Sequence, residues 1–536
     1  MRLARGVDMS VVLACMVILS GCALRLVPAM RADFPLNDGG LFATMIGEVQ
    51  RSHYALPFST RYNGLEIPFA YPPLGFYLGA LLSDITRLDV VQILRLAPPI
   101  LSVLTVGAFL LLASATLPSR AAAFTATGVF VLVPGSFLWQ VMGGGITRAP
   151  GLLFGLLALH QGYRFYAHGH RLTWLLWVLF SAATLLSHLE WALFLVASTL
   201  ALFLHRGRRI RGVLGTSLAV PSILLITAPW WATVLSRHGL SPFLAAGQSG
   251  SLISVVAEES GGQPYPVAAM MIVALFSAFG VMAARSERAL FLVGWIGLIT
   301  LVDFRAYAQL VTVPAALGGG WVAGALDAFA RSRRRSPLSP AQSDSPENEP
   351  LVGPPERSGR RAGLESRVHR FAAAAATMAI AWAILVNLPF AAIAPRALTP
   401  LSLQEREPML WVGRETPPSA QFLIISGAGW SLDRWGEWFP VLSGRESVAT
   451  VQGTEWLQGQ FILRDQAHAE ARRCAGGDGT CLRRWMTESG KTFSHVYLAK
   501  GASTDCCGPL RVALREDPSY VLVFNGEGAT IFSRQP

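Results

Sequence analysis

Asn37-Asp38-Gly39-Gly40 closes the first apolar run of this 536-residue sequence, and Tyr71-Pro72-Pro73-Leu74-Gly75 follows it. An acid beside two glycines, on a loop at the end of an apolar segment, reads as a site, because such a charge persists where water reaches it. A carboxylate there can act as a general base toward a hydroxyl. Asp38 can also serve as the N-cap of a helix over Gly39 to Arg51, and the two roles are compatible. Asp33 is the nearest alternative acid. Glu48, a helical stretch further on, is expected to face the same surface.

The segments that must hold this loop are apolar. Hydrophobic residues make up 52% of the chain and charged residues 14%, against roughly 25% charged in soluble domains. The sequence is therefore expected to be mainly α, a polytopic transmembrane helical protein. Runs of spanning length occur at 9–27, 93–116, 121–141, 150–166, 172–187, 189–204, 212–235, 266–285, 288–302, 306–327 and 369–394, about eleven spans. The net charge of +11 sits in short arginine clusters between these runs, without interleaved aromatics, which argues against nucleic acid as a partner. Arg164 to Arg171, His205 to Arg209, Arg285 to Arg288 and Arg331 to Arg335 all fall on the side of Arg2 and Arg5 if 72–85 does not cross. With the N-terminus cytoplasmic, 28–92 becomes one large outer loop carrying Asp38. Leu19-Ser20-Gly21-Cys22 also fits a lipoprotein signal, and that alternative leaves Asp38 outside as well.

Other residues collect at the outer ends of these runs. Arg305, in Asp303-Phe304-Arg305-Ala306-Tyr307, lies where the ninth span ends outside, and a guanidinium there can clamp a phosphate with its planar fork; a local pair with Asp303 is the alternative. Arg148 follows three glycines that permit close approach of a ligand to the backbone and is a second phosphate or sugar candidate. His188 and Glu190, with Trp191, stand at an outer turn and suggest a ligand site, with Trp191 as sugar platform or interface anchor.

Residues 331–367 exchange Leu and Val for Ser, Pro, Glu and Arg, as a disordered cytoplasmic linker would. A last span is expected over 368–395. Residues 396–536 alternate strand-like runs at Gln421 to Ile425, Ser494 to Leu498, Tyr520 to Phe524 and Ala529 to Phe532 with polar turns, and form a small extracytoplasmic α/β domain. Cys474, Cys481, Cys506 and Cys507 all fall there, where disulfides persist, and Cys474 with Cys481 is the easiest pair. Zinc is the competing use, without paired C-x-x-C spacing or a suitably placed histidine. The domain also gathers Trp430, Asp433, Arg434, Trp435, Glu437, Trp438, Arg445, Glu455 and Trp456. Tryptophans among carboxylates suit either a carbohydrate site or a docking face against the membrane part.

A hydrophobic helix, an outer loop with an Asp and then Tyr71-Pro72-Pro73-Leu74-Gly75 resemble the amino-terminal module of the GT-C superfamily. These are polyprenyl-phosphate-sugar-dependent glycosyltransferases, including protein O-mannosyltransferases, lipid A aminoarabinose transferases and the oligosaccharyltransferase catalytic subunit. Val133 to Phe137 and Gly143 to Arg148 resemble the end of the third span and the second outer loop of that subunit, and the resemblance covers about residues 1–330. It implies a catalytic transmembrane module over 1–330, Asp38 as base and Arg305 on the donor phosphate; Arg148, His188, Glu190, Tyr71, Glu48, Glu437, Arg445 and Glu455 are substrate-binding candidates by their own chemistry and placement. The oligosaccharyltransferase pattern has acids in the second outer loop, where this chain has Thr147 and Arg148, so it resembles the metal-independent members more closely. No metal and no cofactor are implied.

The expected activity moves a sugar from a polyprenyl-phosphate donor to a glycan, lipid or protein acceptor outside a bacterial plasma membrane. The partners are that donor, membrane lipids and the acceptor. An envelope-assembly scaffold and a flippase or transporter of lipid-linked glycans are the alternatives. A transporter would need charges near mid-span, whereas the acids here collect at the outer ends.

Overall fold

The computed structural model describes residues 9–249, 287–302, 307–334, 398–501 and 506–535. Helix α1 (Met9–Arg31) leads into a folded segment, not an open loop: α2 (Gly40–Arg51), the antiparallel hairpin β1 (Ser59–Tyr62) and β2 (Leu65–Pro68), then α3 (Leu74–Thr86), before α4 (Val90–Thr116). Asn63 and Gly64, with φ of 54° and 72°, supply the two left-handed residues of the hairpin turn. The 13 residues of α3 reach about 20 Å, short of a hydrocarbon core of roughly 30 Å, so the stretch opened by Pro72-Pro73 is not a span by itself. Arg87, left-handed at φ 60°, ends it.

The bundle continues through α5 (Arg120–Leu132), α6 (Gly145–His168), α7 (Arg171–Ser187), α8 (Leu189–Leu202), α9 (Ile210–His238), α10 (Ser241–Ser249), α11 (Glu287–Val302) and α12 (Thr312–Arg334). The run expected over 121–141 stops as a helix at Leu132, because Pro134 disfavours helical backbone at Val133. Val90–Thr116, Leu189–Gly207 and Ile210–His238 are each long and apolar enough to cross a membrane. The outward face of α9 carries exposed Leu214, Leu218 and Leu225, which water would disfavour and lipid accepts. The spans expected at 266–285 and 369–394 lie outside the described residues, as does most of the linker. The arginine-rich turns, between α6 and α7 and between α8 and α9, sit at one end of these helices; the His188 turn between α7 and α8 sits at the other.

The C-terminal part has a five-stranded sheet in the order β4-β3-β5-β7-β6. In it β3 (Gln421–Ile425) runs parallel to β4 (Glu446–Ser447) and β5 (His495–Ala499), while β7 (Ala529–Arg534) runs antiparallel to β5 and β6 (Tyr520–Asn525). Around it lie α13 (Leu403–Glu415), α14 (Arg434–Ser443), α15 (Gln460–Arg473), α16 (Gly479–Ser489) and α17 (Gly508–Glu516). Side chains alternate across the strands. Leu423, Ile425, Val496 and Leu498 pack under α15, α16 and α17 with Trp485 and Leu510. Phe422, Ile424 and Tyr497 pack on the other face, in one core with Phe34, Phe42, Met45, Phe76 and Trp438, so the folded segment after α1 and the C-terminal sheet share a single apolar interior. Cys474 and Cys481 are bridged, and so are the adjacent Cys506 and Cys507.

Candidate functional site

Asp38 sits in a backbone that only glycine-rich sequence permits. Gly39 has φ 127°, and a Cβ on Gly143 would lie 2.0 Å from the Asp38 carbonyl oxygen. The Gly143 N–H donates to the Leu36 carbonyl at 3.0 Å, which ties the two loops together. The glycines at 143–145, expected to admit a ligand, therefore admit the Asp38 loop, because backbone packs on backbone there.

The Asp38 carboxylate does not cap its own helix, as α2 receives no side-chain cap from Gly39. It reaches the start of α6. Oδ1 accepts from the Gly144 N–H at 2.7 Å, and Oδ2 accepts from the Arg148 guanidinium at 2.8 Å. Asp38 is 7% exposed and the Arg148 side chain 20%, so this is a largely buried ion pair, with Arg148 also stacked over Trp139 at 5.3 Å. A Cβ on Gly144 would stand 2.5 Å from Asp38 Oδ2 and 2.7 Å from Arg148.

Tyr71 lies beside this pair. Its hydroxyl is 3.4 Å from Thr147 Oγ1, and its ring meets Trp456 at 5.3 Å and His188 at 6.0 Å between centroids. Burial pushes the phenol up to about 12 against the pull of Arg148, so it remains a neutral hydroxyl. His188 Nδ1 stands 3.9 Å from Glu190 Oε2. Glu190 acts electrostatically on both Arg148 and Tyr71, and Glu455 acts on Tyr71.

The C-terminal domain closes over the loop through α14. Trp438 Nε1 donates to the Asn37 carbonyl at 3.1 Å, the Gly39 N–H donates to Glu437 Oε1 at 2.8 Å, and the Tyr62 hydroxyl donates to the Glu437 carbonyl at 2.6 Å. Asn63 exchanges two hydrogen bonds with the Ser447 backbone at 2.9 and 2.7 Å. Burial, with Asp38 next in weight, pushes the Glu437 carboxyl up to about 8, against the Gly39 N–H, Arg148 and the Leu41 N–H. In the tryptophan cluster Trp435, Glu437 and Trp438 are buried, as a docking face requires.

Asp38, Arg148, Tyr71, His188, Glu190, Glu437 and Glu455 are thus brought to one place. Glu48 is not among them: it pairs with Arg51 at 3.1 Å on α2. Arg445 is used inside the domain, where it donates to the carbonyls of Gly413 and Thr416 at 2.9 and 2.6 Å and joins the end of α13 to the end of α14. Asp33 pairs with Arg406 away from Asp38. Arg305 lies outside the described residues. Among the described residues no group of three His, Cys, Asp or Glu could hold a metal ion, and the cation that faces Asp38 is Arg148. Sequence reasoning missed that pairing and the docking of Asn37 and Asn63. The one signal for the latter was a polar residue in each of two tight turns.

The sequence matches no family model and no curated protein. The fold does match solved structures. An oligosaccharyltransferase from Archaeoglobus fulgidus, tethered with an acceptor peptide, aligns with a TM-score of 0.51 at 12% identity over 98% of this chain and 74% of that one. ArnT from Cupriavidus metallidurans bound to undecaprenyl phosphate aligns at 0.49 and 14% over 98% and 97%. The mycobacterial arabinofuranosyltransferase AftD aligns at 0.48 and 13% over 98% and 40%. At these identities the likeness is one of fold alone, and the chain shares the fold of that oligosaccharyltransferase.

Proposed function

We propose, with the GT-C fold as premise, that this protein is an integral membrane glycosyltransferase moving a sugar from a polyprenyl-phosphate donor to a glycan, lipid or protein hydroxyl on the extracytoplasmic side. The observation that carries this reading is the buried Asp38–Arg148 pair at 2.8 Å, gathered with Tyr71, His188 and Glu190 at the helix ends opposite the arginine-rich turns. Basic turns on the cytoplasmic side would leave the pair facing out, under the C-terminal domain.

Asp38 takes the proton of the acceptor hydroxyl as that oxygen bonds to the anomeric carbon of the sugar. The bond from that carbon to the phosphate oxygen breaks, and the polyprenyl phosphate leaves with the electron pair. Protonation of Asp38 frees the Arg148 charge from its partner while negative charge develops on the leaving phosphate, so one cation serves both states. Arg305 is assigned as the second clamp on that phosphate. The second loop offers Arg148 to Asp38 and Thr147 to the Tyr71 hydroxyl, which is no ligand set for a divalent metal, and no step is routed through one.

Native mass spectrometry in lipid nanodiscs with undecaprenyl phosphate tests the donor class. The parent retains the lipid, and Arg305→Lys, which keeps the charge and loses the two-pronged geometry, binds it about tenfold more weakly at an unchanged melting temperature. Equal binding by both proteins removes Arg305 from the site. A parent that retains no polyprenyl phosphate contradicts the reading.

A further inference from the structure

Helix α2 begins two residues after Asp38 and has no cap from its own sequence, because Gly39, at the N-cap, has no side chain to offer. The first turn of any helix leaves backbone N–H groups without partners inside the helix. Here the partner comes from the other domain. The Gly39 N–H donates to Glu437 Oε1 at 2.8 Å, and the Leu41 N–H also favours the Glu437 carboxylate electrostatically. The fit is close: a Cβ on Gly40 would lie 2.5 Å from the Glu437 carbonyl oxygen and 3.3 Å from its Cγ. The same carbonyl accepts from Tyr62, and Trp438 holds the Asn37 carbonyl, so α14 grips the peptide on each side of Asp38.

We propose that Glu437 is a positioning residue for Asp38, capping α2 from the C-terminal domain so that the Asp38 carboxylate is held on Arg148 and Gly144. The assignment rests on Asp38 being the base, and it makes the site incomplete without the C-terminal domain. Gly39 is both the residue that Glu437 holds and the neighbour whose peptide carries Asp38, so release of that bond frees the Asp38 backbone. The charged groups that act on the Glu437 carboxyl are Asp38 before α2 and Arg148 on α6, and the Tyr62 hydroxyl on β1 holds its carbonyl. Of these only Arg148 favours the ionised form. With Glu437 neutral, the facing pair of Asp38 and Arg148 carries no net charge. Loss of its proton adds one negative charge beside that pair, which weakens its attraction for a phosphate-bearing donor.

Hydrogen–deuterium exchange over Gly39 to Phe42 and steady-state transfer, each at pH 7 and pH 9, test this on the full-length protein in nanodiscs. Glu437→Ala should speed exchange of the Gly39 and Leu41 amides and lower kcat by about tenfold, with donor KM at pH 7 within about twofold. Glu437→Gln keeps an acceptor oxygen and the volume, so its Gly39 amide should exchange at the parent's rate at pH 7. The variant should also lose the rise in donor KM that the parent shows above pH 8. Exchange in Glu437→Ala equal to the parent's overturns the assignment, and so does a Glu437→Gln variant as defective as Glu437→Ala. If Glu437→Ala does not fold, the pH dependence of parent against Glu437→Gln decides alone. Faster exchange in Glu437→Ala, restored in Glu437→Gln, supports the cap even if the parent transfers no sugar, an outcome that overturns the function reading only.

Discussion

The Asp38 carboxylate and the Arg148 guanidinium meet at 2.8 Å across 110 residues of sequence, with Asp38 Oδ1 on the Gly144 N–H. Each partner lies at the end of a different apolar segment, so the pair fixes the folded segment after α1 onto the first turn of α6. A buried pair of this kind is sensitive to loss of one member, since the other charge is left in a medium that solvates it poorly.

Arg148→Ala is therefore expected to destabilise the protein by about 3–5 kcal/mol and to abolish transfer. Asp38→Asn combined with Arg148→Ala removes both charges. The double variant should regain most of the detergent melting temperature and none of the activity. A double variant no more stable than Arg148→Ala would mean that the pair is not what holds the loop.

Gly144→Ala tests the close approach. Its Cβ would stand 2.5 Å from Asp38 Oδ2, and a carboxylate fixed by two hydrogen bonds cannot yield without leaving Arg148. Transfer should fall by about tenfold or more, as expected for a general base moved by a fraction of an ångström. Gly107, which has open space around it, is the control, and Gly107→Ala should leave transfer near the parent value.

The Glu437 carboxyl is raised from 4.5 to about 8 by burial and by Asp38. A carboxyl held above its unfolded value contributes stability that is fully present below pH 4.5 and is lost as pH rises to about 8. The parent melting temperature should fall across that window, and the fall should be smaller in Glu437→Gln. Parallel profiles for the two proteins would show that Glu437 does not carry the proton.

Topology has its own test. A reporter fused after Leu82, within α3, and one at the C-terminal end should both report an extracytoplasmic location, because the arginine-rich turns occupy the other helix ends. A cytoplasmic signal after Leu82 would place Asp38 on the wrong side for an outer-leaflet donor.

The site's parts were legible in the sequence where chemistry stands at the end of an apolar run. Asp38, Tyr71, His188 and Glu190 are such residues, and the structure gathers them. Their pairing was not legible, since nothing local links Asp38 to a residue 110 positions away. The Gly143 to Gly145 run announced a close approach without saying what approaches. Glu437 was visible only as one acid in an aromatic cluster, because the helix it caps lies 398 residues earlier. Four strands followed from short apolar runs between polar turns, whereas β4, two residues long, is too short to show one.

The most direct test is sugar transfer from a labelled polyprenyl-phosphate sugar to membrane acceptors by the purified parent and by Asp38→Asn. Asn keeps the size and can still accept the Gly144 N–H, while it removes the basic carboxylate. The account predicts normal insertion and a loss of transfer by two or more orders of magnitude, the range expected for a general base. Retention of most of the parent activity by Asp38→Asn would contradict it.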